Sequence, residues 1–174
     1  LVQLYTAFAP MIHIGALERV AAELDLELLA VAAEPFAVAR AVIGDDESQN
    51  TSAILMDVGG GTTDIALVNE GGVEGTKMFG IGGRAFTRGI ERAMAITYAQ
   101  AETVKLGLGS GRIPHNKLPA IEKSLKSTLS VWLSGVQLAL EEFSVETMPN
   151  RILLCGGGAS LDMLHEALEG ESWY

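Results

Sequence analysis

The sequence predicts an α/β domain, in which a mixed sheet containing a β-meander is flanked by helices and joined to a small helical subdomain. Three observations predict it. Residues 1–43 alternate apolar runs with amphipathic stretches in the order strand, helix, strand, helix. Residues 53–79 hold three short β-rich runs separated by glycine- and asparagine-containing turns. Residues 84–143 are apolar at helical spacing, before RILLC at 151–155 returns to strand.

Each element has its own local reason. LVQLYTAFA at 1–9 is apolar and stopped by Pro10, which predicts a buried strand. Gly15 to Leu24 places Leu17, Val20, Ala21 and Leu24 on one side with Glu18, Arg19 and Glu23 on the other, which predicts an amphipathic helix. Leu26 to Val31 reads as a second strand, and Pro35 suits the first turn of a helix running to Val42, where its missing N–H needs no partner. Gly44 to Ser52 is polar and turn-rich, a linker at a subdomain boundary. Ala53 to Val58, Thr63 to Val68 and Val73 to Phe79 form the meander. Arg84 to Gln100 reads as one half-buried helix through Phe86, Ile90, Met94 and Tyr98, followed by a short helix at Ala101 to Leu108. Leu118 to Phe143 is a long helix whose stripe of Leu125, Leu129, Trp132, Val136 and Leu140 marks a core face. After the strand Arg151 to Cys155 and a glycine turn, Ser160 to Leu168 reads as a last helix, with Ser160 as its N-cap.

Composition narrows the function. A chain of 174 residues with 48% hydrophobic and 20% charged residues buries a core and is not disordered. Its net charge of −10 disfavours nucleic acid and anionic membrane surfaces as partners. Charged residues such as Glu27, Glu34 and Arg40 break the most apolar stretch, so no membrane span is expected from this segment. The single cysteine, Cys155, makes no intramolecular disulfide and reads as a buried, inert thiol, in keeping with a cytoplasmic setting. His13, His115 and His165 lack metal-ligand spacing.

The chemistry concentrates at three glycine bends. Asp57-Val58-Gly59-Gly60-Gly61-Thr62-Thr63-Asp64 ends one strand and opens another, so its bare N–H groups suit a β-hairpin phosphate loop, with a carboxylate on either side to hold a hydrated cation. A tight hairpin turn with no ligand accounts for that run equally well. Gly156-Gly157-Gly158-Ala159-Ser160 joins a buried strand to a helix and leaves backbone bare for a base or phosphate, and Gly82-Gly83 precedes a helix.

In order along the chain, Glu34-Pro35-Phe36-Ala37-Val38-Ala39-Arg40-Ala41, Asp57 to Asp64, Gly80-Ile81-Gly82-Gly83, Ala101-Glu102-Thr103-Val104-Lys105 and Leu154 to Ser160 resemble the motifs of the actin-like ATPase superfamily, with its ribonuclease H-like fold. Within it the resemblance is to the bacterial cell-division and pilus-assembly homologues. It implies ATP with Mg²⁺ as the ligand. Asp57 and Asp64 would lie at the metal, and Glu34 and Asp57 would be the catalytic carboxyls, Glu34 orienting the attacking water. Gly59, Gly60, Gly61, Thr62 and Thr63 would surround the β- and γ-phosphates, and Gly82 and Gly83 would enter the small subdomain. Glu102 and Lys105 would face the ribose or base, and Gly156, Gly157, Gly158 and Ser160 the adenosine. The implied division is 1–43 as the end of a first subdomain, 44–83 with 150–174 as the second nucleotide-binding subdomain, and 84–149 as the small helical one.

The resemblance also implies an opposing phosphate loop upstream, which these residues do not contain, and further chain beyond the adenosine motif. The sequence therefore reads as a fragment, expected to hydrolyse ATP poorly or not at all. Partner proteins in division or pilus assembly, and self-assembly, are implied for the parent. A non-hydrolysing interaction scaffold and a small-molecule kinase of the same superfamily stay open as alternatives.

Overall fold

The computed structural model describes residues 6, 8–43, 51–108 and 113–170. Its centre is a four-stranded sheet in the order β3-β2-β1-β4, built from β1 (Ala53–Val58), β2 (Thr63–Asn69), β3 (Gly72–Phe79) and β4 (Ile152–Cys155). β1, β2 and β3 run antiparallel as the expected meander, whereas β4 lies parallel to β1 on its other side. Every β1 residue from Ala53 to Met56 and Val58 is buried, which fits a strand covered on both faces.

Alternation along the strands sorts the core into two layers. Ile54, Met56 and Val58 of β1 and Ile65 and Leu67 of β2 point to one face and form the main core with Phe86, Ile90, Ile121, Trp132, Val136 and Leu164. Those helical residues come from α3 (Gly83–Met94), α5 (Leu118–Glu141) and α6 (Asp162–Gly170). Leu55, Ala66 and Val68 point to the other face, where Ala39 of α2 (Glu34–Ile43) packs on them. At β3, an edge strand, only alternate residues are partly covered, and Glu74 and Lys77 give that edge charge.

Several expectations change. The expected strand at 1–9 falls mostly outside the described residues, as does much of the linker at 44–52. Residues 26–31 form no strand, because no described strand lies beside them to take their hydrogen bonds. The helix α1 (Met11–Glu23) forms, yet buries none of its residues and leaves Leu17 and Val20 exposed. The single helix expected over 84–100 is two. Ala95 takes a left-handed conformation (φ 51°, ψ 46°) that ends α3, and Thr97 starts α4 (Tyr98–Leu106) through a capping box with Gln100. The last helix starts at Asp162 after a 3₁₀ turn at Gly157–Ser160. Ser160 is not its cap, since its hydroxyl donates to the Gly157 carbonyl at 2.9 Å.

Candidate nucleotide site

The C-terminal end of β1 brings the three glycine bends together. The Gly59 N–H closes the turn on the Thr62 carbonyl at 3.0 Å. The second bend docks on the first, with the Gly83 N–H on the Gly59 carbonyl at 2.9 Å and the Arg84 N–H on the Gly60 carbonyl at 2.8 Å. A Cβ at Gly82 would come within 2.9 Å of the Thr62 carbonyl oxygen and 3.0 Å of the Gly60 carbonyl carbon, so only glycine lets these two backbones meet. The third bend follows β4, which lies parallel to β1 with Cys155 opposite Asp57. Its Gly158 packs on Val58, and the Gly158 Cα lies 3.9 Å from where a Gly83 Cβ would stand.

This docking uses the carbonyls of Gly59 and Gly60 but not the amides of the turn. Among the described residues, the N–H groups of Gly60, Gly61 and Thr62 donate no hydrogen bond. Consecutive unpaired amides on a turn are free to take an anion.

Carboxyls gather beside it. Asp57 and Asp64 are direct partners across β1 and β2, on the face covered by α2. Glu34, the first residue of α2, hydrogen-bonds Asp57. That bond, the Asp57 charge, partial burial and the nearby Asp64 together hold the Glu34 carboxyl above its ordinary range. Three residues assigned to one centre from separate stretches of sequence thus meet. Among the described residues no three His, Cys, Asp or Glu side chains form a metal cage. An all-oxygen donor set with too few protein ligands fits Mg²⁺, which keeps several waters and completes its shell with phosphate oxygens.

Cys155 shares this neighbourhood. Burial, reinforced by Asp57 and Glu34, pushes its thiol up to about 11. We expect its alkylation by iodoacetamide at pH 7.5 to run on the order of a hundredfold slower than that of an unperturbed cysteine, because so little thiolate is present. A rate matching that of a free thiol would refute the shift.

Other expected contacts are rearranged. The Thr63 side chain, expected at the phosphates, is fully buried on the opposite face. It donates to the Ile81 carbonyl at 2.8 Å and accepts from Trp132 Nε1 at 2.9 Å, so its hydroxyl braces the second bend from inside. Glu102 and Lys105 form an ion pair of 3.0 Å beside the second bend. The Thr87 hydroxyl donates to Glu102 at 2.5 Å, and Lys105 donates to the Gly83 carbonyl at 3.3 Å. Burial opposes the Glu102 charge, but the bonds from Thr87 and Lys105 and the Lys105 charge prevail and keep its carboxyl below the ordinary range. Gly156 and Gly158 give up their Cβ space to Asp57 and Val58, while Gly157 faces open space. His13, His115 and His165 are all exposed.

One residue at the centre has no counterpart in the sequence reading. The Arg84 guanidinium lies over Gly60 and Gly61, with its Cζ 3.9 Å and 3.3 Å from where their Cβ atoms would be.

The mixed sheet, with its glycine bends meeting at the end of the central strand, is shared with solved proteins of the actin-like ATPase fold. The crystal structure of MreB5 of Spiroplasma citri bound to ADP superimposes with a TM-score of 0.70 at 24% identity, over 92% of this chain and 58% of that one. The ethanolamine utilization protein EutJ of Carboxydothermus hydrogenoformans superimposes with a TM-score of 0.67 at 25% identity, over 87% and 51%. A sequence model of the family described as cell division protein FtsA matches residues 54–171, and the chain belongs to that family. The Bacillus subtilis cell division protein FtsA is 32% identical over 84 residues, which are 48% of this chain and 19% of that protein. The matched stretch is thus less than a fifth of that relative's length. Among the described residues no helix is long and apolar enough to cross a membrane.

Proposed function

We propose that this segment is one wall of a Mg²⁺–ATP site in an actin-like protein of bacterial cell division or a related cytoskeletal or envelope assembly, working in the cytoplasm. The observation that carries the proposal is the row of unpaired N–H groups at Gly60, Gly61 and Thr62 beside the carboxyls of Asp57, Asp64 and Glu34. The amides would take phosphate oxygens, and Asp57 and Asp64 would hold a hydrated Mg²⁺ that supplies positive charge beside them. Glu34, whose carboxyl is held above its ordinary range beside Asp57, is placed to orient a water near the terminal phosphate. Glu102 and Lys105 face the nucleoside across the second bend, and Gly157 leaves room for a flat base at the third. An opposing wall is needed to exclude water, so the segment alone is expected to hydrolyse ATP poorly.

The test is titration of the full-length protein with a labelled ATP analogue in the presence of Mg²⁺. Asp57→Ala and Gly60→Val should each weaken binding about tenfold or more, the scale of losing a hydrogen bond or ligand to a charged group. Glu34→Ala should retain binding and lose single-turnover hydrolysis. Unchanged affinity in the first two variants would remove the nucleotide from this site.

A non-hydrolysing scaffold draws support from one observation. α1 forms without burying a residue and presents Met11, Ile12, Leu17 and Val20 to solvent, which suits contact with other protein surface. Retained nucleotide affinity without turnover in the wild type would favour it.

A further inference from the structure

The cation over the phosphate loop is unexplained by packing. Arg84 is exposed, and among the described residues its guanidinium has no ion pair or hydrogen bond. Its position is nonetheless set by the backbone. The Arg84 N–H bonds the Gly60 carbonyl, which fixes the first turn of α3 against the loop and lays the side chain across Gly60 and Gly61. A Cβ at Gly61 would run into the guanidinium Nη2, so the arginine lies across the loop in this position only because Gly61 has no side chain. A second cation beside this bend, Lys105, is already committed: it is nearly buried, paired with Glu102 and bonded to the Gly83 carbonyl.

Resting on the nucleotide reading above, we infer that Arg84 determines the specificity of this site for polyphosphate, gripping the nucleotide's phosphate chain from the side opposite the Asp57–Asp64 carboxyls. A guanidinium presents planar paired donors that match two phosphate oxygens, and it keeps its charge at every physiological pH. The loop amides supply direction but only partial charge, and the chain as a whole carries −10. Placed between Arg84 and the cation that Asp57 and Asp64 would hold, a di- or triphosphate would have positive charge on both flanks. A nucleoside has nothing to offer either flank. Arg84 thus makes affinity rise with phosphate number.

The experiment compares ATP, ADP and adenosine by calorimetric titration with Mg²⁺ in the full-length wild type, Arg84→Gln and Arg84→Lys, with thermal melts checking that the exposed substitutions leave folding intact. In the wild type, ATP and ADP should bind far more tightly than adenosine. Arg84→Gln should weaken ATP and ADP about tenfold or more while leaving adenosine unchanged. Arg84→Lys, which restores charge without the fork, should recover part of that loss. An unchanged ratio of ATP to adenosine affinity in Arg84→Gln would overturn the assignment of Arg84 while leaving the nucleotide site standing. Absence of binding in the wild type would overturn both.

Discussion

Gly156→Ala is expected to destabilise the protein by about 3 kcal/mol or more and to abolish nucleotide binding, while Gly157→Ala one residue later leaves the stability unchanged. Gly156 sits at φ 83° and ψ 163°, a region of backbone space that is essentially glycine's alone. Strain there is only part of the effect. A Cβ at Gly156 would come within 2.6 Å of the Val58 carbonyl oxygen and also meet Asp57 Oδ1. These atoms belong to the central strand, which is paired on both sides and cannot give way. Relief must come from moving β4 and the third bend away from β1, which displaces Asp57 as well. At Gly157 a Cβ would find nothing within 4 Å, so the same methyl is harmless to the fold. Urea unfolding of both variants reads the difference, and equal midpoints would show that the close approach of β4 to Asp57 is not as described.

How much of this was legible in the sequence depends on how local the cause is. The strand Ala53–Val58 is recovered with its own ends, because an apolar run closed by three glycines specifies both the strand and its stop. The break between α3 and α4 was written in Thr97 and Gln100, whose spacing is that of a capping box, but the continuing period of apolar residues hides it. The inward turn of Thr63 follows from parity. Ile65 and Leu67 face the main core, and Thr63 lies two and four residues away on the same side of the strand. The expected strand at 26–31 has the right residues and no neighbour, a condition that no local pattern reveals. The meeting of the bends is less accessible still, since it requires β4 to lie beside β1 across some ninety intervening residues. Arg84 depends on that second level of packing, because its side chain is placed only once the second bend has docked on the first.

Trp132→Ala should lower stability by about 3 to 5 kcal/mol, the scale for truncating a fully buried tryptophan. More instructive is Trp132→Phe, which keeps most of the apolar surface and removes only the indole N–H. That N–H ends a relay in which Trp132 of α5 donates to Thr63 of β2, and Thr63 donates to the Ile81 carbonyl in the second bend. The relay ties the long helix to the bend that carries Gly82, Gly83 and Arg84. Deleting its first donor leaves the buried Thr63 oxygen underused, so Trp132→Phe should lose roughly 1 to 3 kcal/mol. Thr63→Val removes the middle of the relay and strands both the indole N–H and the Ile81 carbonyl. If the groups act as one unit, the double variant is less destabilised than the sum of the singles by about 1 kcal/mol, since the second change has less left to break. A double-mutant cycle by urea unfolding measures that term. A coupling indistinguishable from zero would mean that α5 supports the site by packing alone. A clear coupling would extend to function, and ATP affinity in Trp132→Phe should fall although the side chain never approaches the phosphates, because the bend that places Arg84 over the loop has lost its internal brace.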